Sequence, residues 1–414
     1  MSVTKAQPQQ PGALWRAAST FFMASTGMVC RSFLYGFNKV EVVGLDNFLT
    51  LLDRRKDVAA RQRGLITVSN HISVLDDPLV WGVLPFKYAA DHRNLRWGLG
   101  SHDICYKNSL AGHFFCSGQT LPTHRLRHSP WGGLFQPTMN QAVRLLSAQP
   151  LPADHSKLGS PIESLSPLSS SDSLSSSDST TLPPAPKSSK TPSNHVFASS
   201  FSPSLYYSTN DIDRWPAPSA FASNRHAWVH IFPEGLVHQQ RDRGLRYFKW
   251  GVARLILESE PAPDIVPMFI DGLDRIMHEE RKFPRFLPRI GQKVRIVFGD
   301  IVDPETFADL RDRWQQLLAR SRRSRTNNGE VAKNDNNDAS GAEGEKDIDL
   351  KYGPEAQQLR SETARRMREE ILKLRRRFGY PEEDSSLGLS ETWADEPNKK
   401  RYRSHVDDSM VYRD

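Results

Sequence analysis

The sequence predicts an α/β fold: a mostly parallel sheet flanked by helices, with an N-terminal amphipathic interfacial helix and disordered insertions. Three observations predict it. Segments with strand-like patterning alternate with helical ones, the order that builds a parallel sheet with covered faces. Two of the strand segments, Gly64 to Ser69 and Ala227 to Phe232, are near-continuous apolar runs, as strands buried on both sides require. Hydrophobic residues make up 38% of the 414, with Ser and Pro crowded into one stretch, so less of the chain is expected to fold than its length allows.

Residues 1–38 are read as a membrane-interface or targeting segment. Between Arg16 and Arg31 the stretch Ala13 to Phe37 is uncharged but diluted by Ser, Thr and Gly. It carries Trp15, Phe21, Phe22, Met23, Phe33, Leu34 and Tyr35, and no acid stands before Glu41. That pattern fits a helix in the interface plane, an organellar targeting segment, or an amphipathic helix packed on the domain. No run of about 18 uncharged apolar residues exists, so a spanning helix is not expected. Residues 39–320 are read as the main domain. Lys39 to Gly44 and Gly64 to Ser69 are its first strands, and Asp77-Pro78 offers an N-cap followed by proline at the first helical position. A helix over Leu110 to Cys116, a strand over Gln119 to Thr123 and a helix over Phe135 to Ala148 follow.

From Pro150 to Asn224 the Ser- and Pro-rich composition cannot bury enough apolar surface to offset ordering entropy, so a disordered insertion is expected, with a local apolar patch at Phe201 to Tyr207. Beyond it the patterning gives a strand over Ala227 to Phe232, a helix over Arg246 to Glu258, and strands over Ile265 to Ile270 and Lys293 to Phe298. Asp303-Pro304 opens a helix to about Arg320. A disordered linker (321–350), a C-terminal helix (351–380) with a narrow stripe of Met367, Ile371, Leu374 and Phe378, and a disordered tail (381–414) complete the reading.

The formal charge is +7 and the isoelectric point near 9.2, a balance that suits phosphate headgroups, nucleic acid or an acidic membrane face. Zinc-finger spacing and an RNP-like strand are both absent, so no nucleic-acid partner is expected. Cys30, Cys105 and Cys116 form neither a disulfide framework nor a metal pair, and read as reduced thiols. His124/His128 and His226/His230 stand four apart, but two arginines lie between the first pair and the second lies on an extended segment, so no metal is expected.

The chemistry concentrates in Asn70-His71-Ile72-Ser73-Val74-Leu75-Asp76. Acyl transfer to a hydroxyl needs a base for the alcohol's proton and a group that fixes the base's tautomer. The incoming alcohol can be the substrate's own hydroxyl, so a protein nucleophile is not required; Ser73 lacks the Gly-x-Ser-x-Gly elbow. On a helix His71 and Asp76 would stand about 140° apart. A loop between strand end and helix start removes that obstacle. Equally, Ser73 to Asp76 has the form of a capping box, which would make Asp76 structural.

Asn70-His71-x4-Asp76-Asp77-Pro78, followed in order by Phe232-Pro233-Glu234-Gly235, resembles the first and third motifs of the glycerolipid acyltransferases. The flanks are more specific. Trp228 to Gly235, Phe248 to Ile256, His102 to Cys105 and Gly118 to Arg125 resemble one branch of that superfamily, the tafazzins, over roughly 40 to 300 apart from the Ser/Pro insertion. The resemblance implies His71 as catalytic base and Asp76 as its orienting acid. It further implies Arg125 on a substrate phosphate, Glu234 and Gly235 at the glycerol and phosphate region, Gly118 among the substrate-binding residues, and Ile265-Val266-Pro267 lining the acyl site. Thr123-His124 precedes Arg125 where many superfamily members have Ile-Asp, a departure that counts against glycerol-3-phosphate as acceptor.

The implied activity is CoA-independent transacylation between a phospholipid and a lysophospholipid, remodelling cardiolipin by reacylating monolysocardiolipin. No cofactor is implied. The implied setting is monotopic attachment to mitochondrial membranes facing the intermembrane space, with an oligomer left open. The competing readings are an acyl-CoA-dependent lysophospholipid or glycerol-phosphate acyltransferase, and a membrane lipid-binding scaffold in which the motif is vestigial.

Overall fold

The computed structural model describes residues 12–148, 206–334, 348–394 and 402–408, with side chains of 325–334 excepted. In chain order it contains α1 (Ala13–Phe37), β1 (Lys39–Val43), α2 (Leu45–Arg54), β2 (Leu65–Ser69), α3 (Asp76–Trp81), α4 (Phe86–Ala89), β3 (Arg96–Ser101), α5 (His102–Cys105), α6 (Ser109–Ser117), β4 (Thr120–Thr123) and α7 (Pro137–Leu146). After the insertion come β5 (Tyr206–Tyr207), β6 (Trp215–Pro216), β7 (Trp228–Ile231), α8 (Gly251–Glu258), β8 (Asp264–Asp271), α9 (Leu273–Ile276), β9 (Lys293–Phe298), α10 (Glu305–Asn334) and α11 (Pro354–Arg377).

Seven strands form one sheet in the order β1-β9-β8-β2-β7-β3-β4. β8, β2, β7, β3 and β4 are parallel, so their C-terminal ends share one edge. β9 runs antiparallel to β8 and carries β1 beside it. The predicted α/β class and mostly parallel sheet are thus observed, with helices on both faces. The two-residue side-chain period divides β8 between two cores. Val266, Met268 and Ile270 pack with Trp228, Leu34, Phe48, Val80 and Trp81 beneath the N-terminal helices. Ile265 and Phe269 pack with Val229, Leu145, Leu255, Trp314 and Met367 beneath the later ones.

Several boundaries differ from expectation. α3 begins at Asp76, ahead of the predicted Asp77-Pro78 start, with Leu75 at its N-cap. Pro78 is therefore the third helical residue, where a missing N–H leaves no intrahelical bond unmade. α8 starts at Gly251 rather than Arg246, because 246–250 is held by tertiary contacts in a loop. α10 continues to Asn334, through residues expected in a linker, and Ser321 and Ser324 on it are buried. Residues 206–224, grouped by composition with the insertion, form the β5–β6 hairpin and two short 3-10 turns. Residues 385–393 and 402–408, expected in a tail, also carry local structure. The expected disorder over 150–205, 335–347, 395–401 and 409–414 lies outside the described residues.

Among the described residues no helix is long and apolar enough to cross a membrane. α1 packs on α3, α4 and α6, yet leaves Leu14, Phe21, Met28, Val29 and Phe37 exposed.

One junction launches the loop that follows β2. The β2–β8 ladder ends at Ser69 opposite Met268. The Asn70 side chain then extends it: Nδ2 donates to the Ile270 carbonyl at 2.9 Å and Oδ1 accepts from the Ile270 N–H at 2.8 Å. The side chain replaces the backbone in the ladder, which frees the main chain to turn away at His71. Asn70→Ala is expected to cost about 2 kcal/mol, since both Ile270 groups are buried and would lose their partner. A urea midpoint equal to wild type would exclude this bridging role.

Candidate active site

His71 leaves the C-terminal end of β2, the edge at which open α/β sheets place their ligands. Its Nδ1 lies 2.9 Å from Asp76 Oδ2, and the ring stacks on Phe232 with centroids 4.3 Å apart. The same Asp76 oxygen accepts the backbone N–H of Ile72 at 2.6 Å and of Ser73 at 2.8 Å. A carboxylate accepting three donors fixes the loop and selects one tautomer, with the proton on Nδ1 and Nε2 left as the basic nitrogen. Asp76 is fully buried; burial pushes its pKa up, opposed by His71 and the two N–H donors. Asp76 thus makes two kinds of contact in one geometry. It orients the imidazole, and it ties down the backbone ahead of α3.

The His71 backbone is clamped as well. Glu234 Oε1 accepts the His71 N–H at 2.8 Å, and the His71 carbonyl accepts from the His238 N–H at 2.7 Å. Glu234 Oε2 accepts the Arg246 N–H at 3.0 Å. With 1% of its surface exposed, Glu234 has both oxygens committed to backbone, and burial pushes its pKa up to about 7. Gly235 follows at φ 66°, a left-handed conformation, and a Cβ there would meet the Lys249 side chain at 2.8 Å. The loop of the third motif thus holds the loop of the first.

Beneath the site lies a partly buried ion pair. Arg96 Nε donates to Asp77 Oδ1 at 3.1 Å, and its second nitrogen also bonds the carboxylate. Burial alone would raise Asp77, but Arg96 holds it below the usual carboxylate range. His230 is fully buried between Thr67 and Ser69, and burial pushes it down to about 3, so it is neutral.

The remaining predicted positions are more dispersed. Arg125 follows β4 on the same sheet edge as His71 and makes a forked pair with Asp103, Nε to Oδ1 at 3.1 Å and Nη2 to Oδ2 at 2.5 Å. Burial would raise Asp103, yet Arg125 and the Ser101 hydroxyl bring it down to about 2. Gly118 stands at the opposite end of β4, capping α6, where its carbonyl accepts from Arg96 at 3.2 Å. It lines an apolar cavity with Phe22, Met23, Pro78, Trp81 and Phe114.

His102, His124 and Asp213 bring ligand-type atoms within 4.8 Å of one another. Asp213, however, already accepts from Ser208 Oγ, Thr209 N and Oγ1, and Trp215 Nε1, and the two imidazoles stack at 4.2 Å. That donor set describes a hydrogen-bonded brace between α5 and the β5–β6 hairpin. Cys30, Cys105 and Cys116 are free thiols, and burial pushes each above the usual range, to about 11, 11 and 12.

Sequence reasoning missed the arginines of α11. Arg368 donates to the Leu245 and Arg246 carbonyls and pairs with Glu383 at 2.5 Å. Arg375 donates to the Asp242 and Arg243 carbonyls. Both hold the segment whose Arg246 N–H meets Glu234, so the C-terminal helix supports the site from behind.

No family model matches the chain. Across 391 residues it is 30% identical to the tafazzin of Saccharomyces cerevisiae, spanning 92% of this chain and 84% of that protein. It is 25% identical over 306 residues to the tafazzin of Drosophila melanogaster, covering 74% of this chain and 57% of the relative. N-acylphosphatidylethanolamine synthase of Arabidopsis thaliana is 25% identical over 268 residues, 64% of each chain.

Proposed function

The chain belongs to the tafazzin family of phospholipid acyltransferases, and from that premise we propose that it moves an acyl group from a phospholipid to a lysophospholipid without CoA, reacylating monolysocardiolipin. The observation that carries the acyl-transfer chemistry is the His71–Asp76 pair, whose base is clamped through its own backbone by Glu234.

Nε2 of His71 takes the proton from the lysolipid hydroxyl as that oxygen attacks the donor's ester carbonyl. The tetrahedral intermediate collapses by breaking the bond to the donor's glycerol oxygen, and Nε2 returns its proton to that leaving alkoxide. Asp76 remains bonded to Nδ1 and stabilises the imidazolium between the two steps. Because the proton and the acyl group each make a closed transfer, no water or cofactor is consumed. Arg125 is assigned to a substrate phosphate, as its planar fork suits, with the phosphate sharing it with Asp103. Glu234 acts as a positioning residue rather than a substrate contact, since both its oxygens already bond backbone. Gly118 belongs to an apolar cavity suited to an acyl chain. The exposed apolar residues of α1 support association with a membrane surface, which for this reading is mitochondrial and faces the intermembrane space.

The test is to incubate purified protein with labelled phosphatidylcholine and monolysocardiolipin, with and without acyl-CoA. Transfer in the absence of any CoA species is expected. Strict dependence on acyl-CoA would replace this reading with a CoA-dependent acyltransferase, and absence of turnover under both conditions would remove the enzymatic assignment. Arg125→Leu is expected to raise KM for the lysolipid about tenfold with a smaller change in kcat, as loss of one charge-assisted contact implies. An unchanged KM would remove Arg125 from the phosphate site.

A further inference from the structure

Between α9 and β9 runs the segment Met277 to Gln292, which reads His-Glu-Glu-Arg-Lys-Phe-Pro-Arg-Phe-Leu-Pro-Arg-Ile from 278 to 290. Its tip exposes apolar side chains: Phe283 at 86%, Phe286 at 77%, Ile290 at 60% and Leu287 at 50%. Arg281, Lys282, Arg285 and Arg289 are interleaved with them. The guanidinium groups make their hydrogen bonds to main-chain carbonyls: Arg281 to His278 and Arg285, Arg285 to Glu279, and Arg289 to Lys282. Those bonds shape the tip without neutralising it. Glu279 and Glu280, at the start of the segment, are the acids nearest in sequence.

The stem, by contrast, is fastened. The Gly291 N–H donates to the Phe37 carbonyl at 2.7 Å, Gln292 N–H to Asn38 Oδ1 at 3.0 Å, and Arg289 N–H to the Ile276 carbonyl at 2.9 Å. Gln239 links it to the site: its Oε1 accepts the Glu279 N–H at 3.0 Å while its Nε2 donates to the Ile72 carbonyl at 2.7 Å. Through the single turn of α9 the segment follows the C-terminal end of β8, the sheet edge shared with the end of β2 from which His71 projects. It also meets the last turn of α1, whose Phe37 is 57% exposed.

We propose that the 281–290 tip is a membrane-docking element that inserts Phe283 and Phe286 into a bilayer carrying anionic headgroups and thereby turns the His71 edge toward the lipid surface. The proposal rests on the phospholipid-transacylase reading for its purpose, and on the tip's own composition for its ligand. Exposed aromatic side chains flanked by cations are what an anionic lipid interface retains, by apolar insertion and by attraction to headgroup phosphates together. A fixed stem two hydrogen bonds from the His71 loop would convert docking into orientation.

Sedimentation of the full chain with phosphatidylcholine vesicles, with and without an anionic phospholipid, tests this. Phe283→Ser/Phe286→Ser is expected to weaken binding to both vesicle types by about tenfold or more. Lys282→Gln/Arg285→Gln is expected to weaken binding to the anionic vesicles alone, by about fivefold for each charge removed. Phe283→Leu/Phe286→Leu should keep most of the affinity, and turnover of a short-chain lysophospholipid in monomeric solution should match wild type in all three. Wild-type affinity in the serine and glutamine variants would overturn the proposal. So would light scattering that shows a wild-type dimer split by the serine variant, because the tip would then bind a second copy. If the wild type turned over no lipid, the transacylase reading would fail while the vesicle comparison still decided the docking surface.

Discussion

His71→Ala is expected to lower transfer from phospholipid to lysophospholipid by about a hundredfold to ten-thousandfold while leaving the urea midpoint close to wild type. The two halves of that expectation come from different parts of one residue. The imidazole is partly exposed and bonds a single side chain, Asp76. The structural bonds of His71, to Glu234 and His238, are made by its backbone and survive the substitution. Asp76 divides the other way. Asp76→Ala removes the acceptor of the Ile72 and Ser73 N–H groups as well as of the imidazole, and should cost stability of roughly 1–3 kcal/mol for each orphaned donor. Asp76→Asn can keep its carbonyl oxygen on those donors and preserve the tautomer, at the loss of the charge that stabilises the imidazolium. Its activity should fall between wild type and His71→Ala. A His71→Ala enzyme with full transfer activity would remove the base assignment; an Asp76→Asn enzyme as inactive as His71→Ala would show that charge, not orientation, is the main contribution of Asp76.

The sheet was legible where burial writes a one-dimensional signal. β2 and β7 are covered on both faces, so their apolar runs needed no context, and the loop nature of 70–75 followed from a strand ending where a proline-bearing helix begins. α11 was legible as a helix but not in its work. Its apolar stripe read as narrow because Arg360, Arg368 and Arg375 count as polar in any periodicity, yet all three are buried and donate to main-chain carbonyls. The hairpin at 206–216 was hidden for the opposite reason. Asp213, Thr209 and Trp215 order it through side-chain hydrogen bonds that composition does not register. At the site, local chemistry left Asp76 open between an orienting and a structural role, and it was the resemblance that assigned His71 and Asp76 as base and acid and Glu234 to substrate. Its partners are two backbone N–H groups from distant loops, and a backbone donor has no residue type by which a sequence could announce it.

That geometry makes Glu234 the position of second-largest expected effect. Glu234→Ala strips acceptors from the N–H groups of His71 and Arg246 in a buried setting, a destabilisation of roughly 2–5 kcal/mol if both stay unpaired. On the positioning role proposed for it, the substitution should also lower kcat more than it raises KM, because its oxygens bond the His71 and Arg246 N–H groups. pH separates this role from simple packing. Glu234 is an acid whose pKa rises on folding, from 4.5 to about 7. Between those values the folded chain retains a proton that the unfolded chain has released. This group's contribution to stability is therefore complete below pH 4.5, declines as pH rises, and levels off above about 7. Glu234→Gln fixes the uncharged form, so its stability should lack that decline, and its disadvantage relative to wild type should shrink as pH rises toward 7. Urea midpoints taken across this range check the sign directly. Parallel curves for wild type and Glu234→Gln would mean that the carboxyl does not titrate there. Wild-type stability and turnover in Glu234→Ala would mean that the third motif does not hold the first.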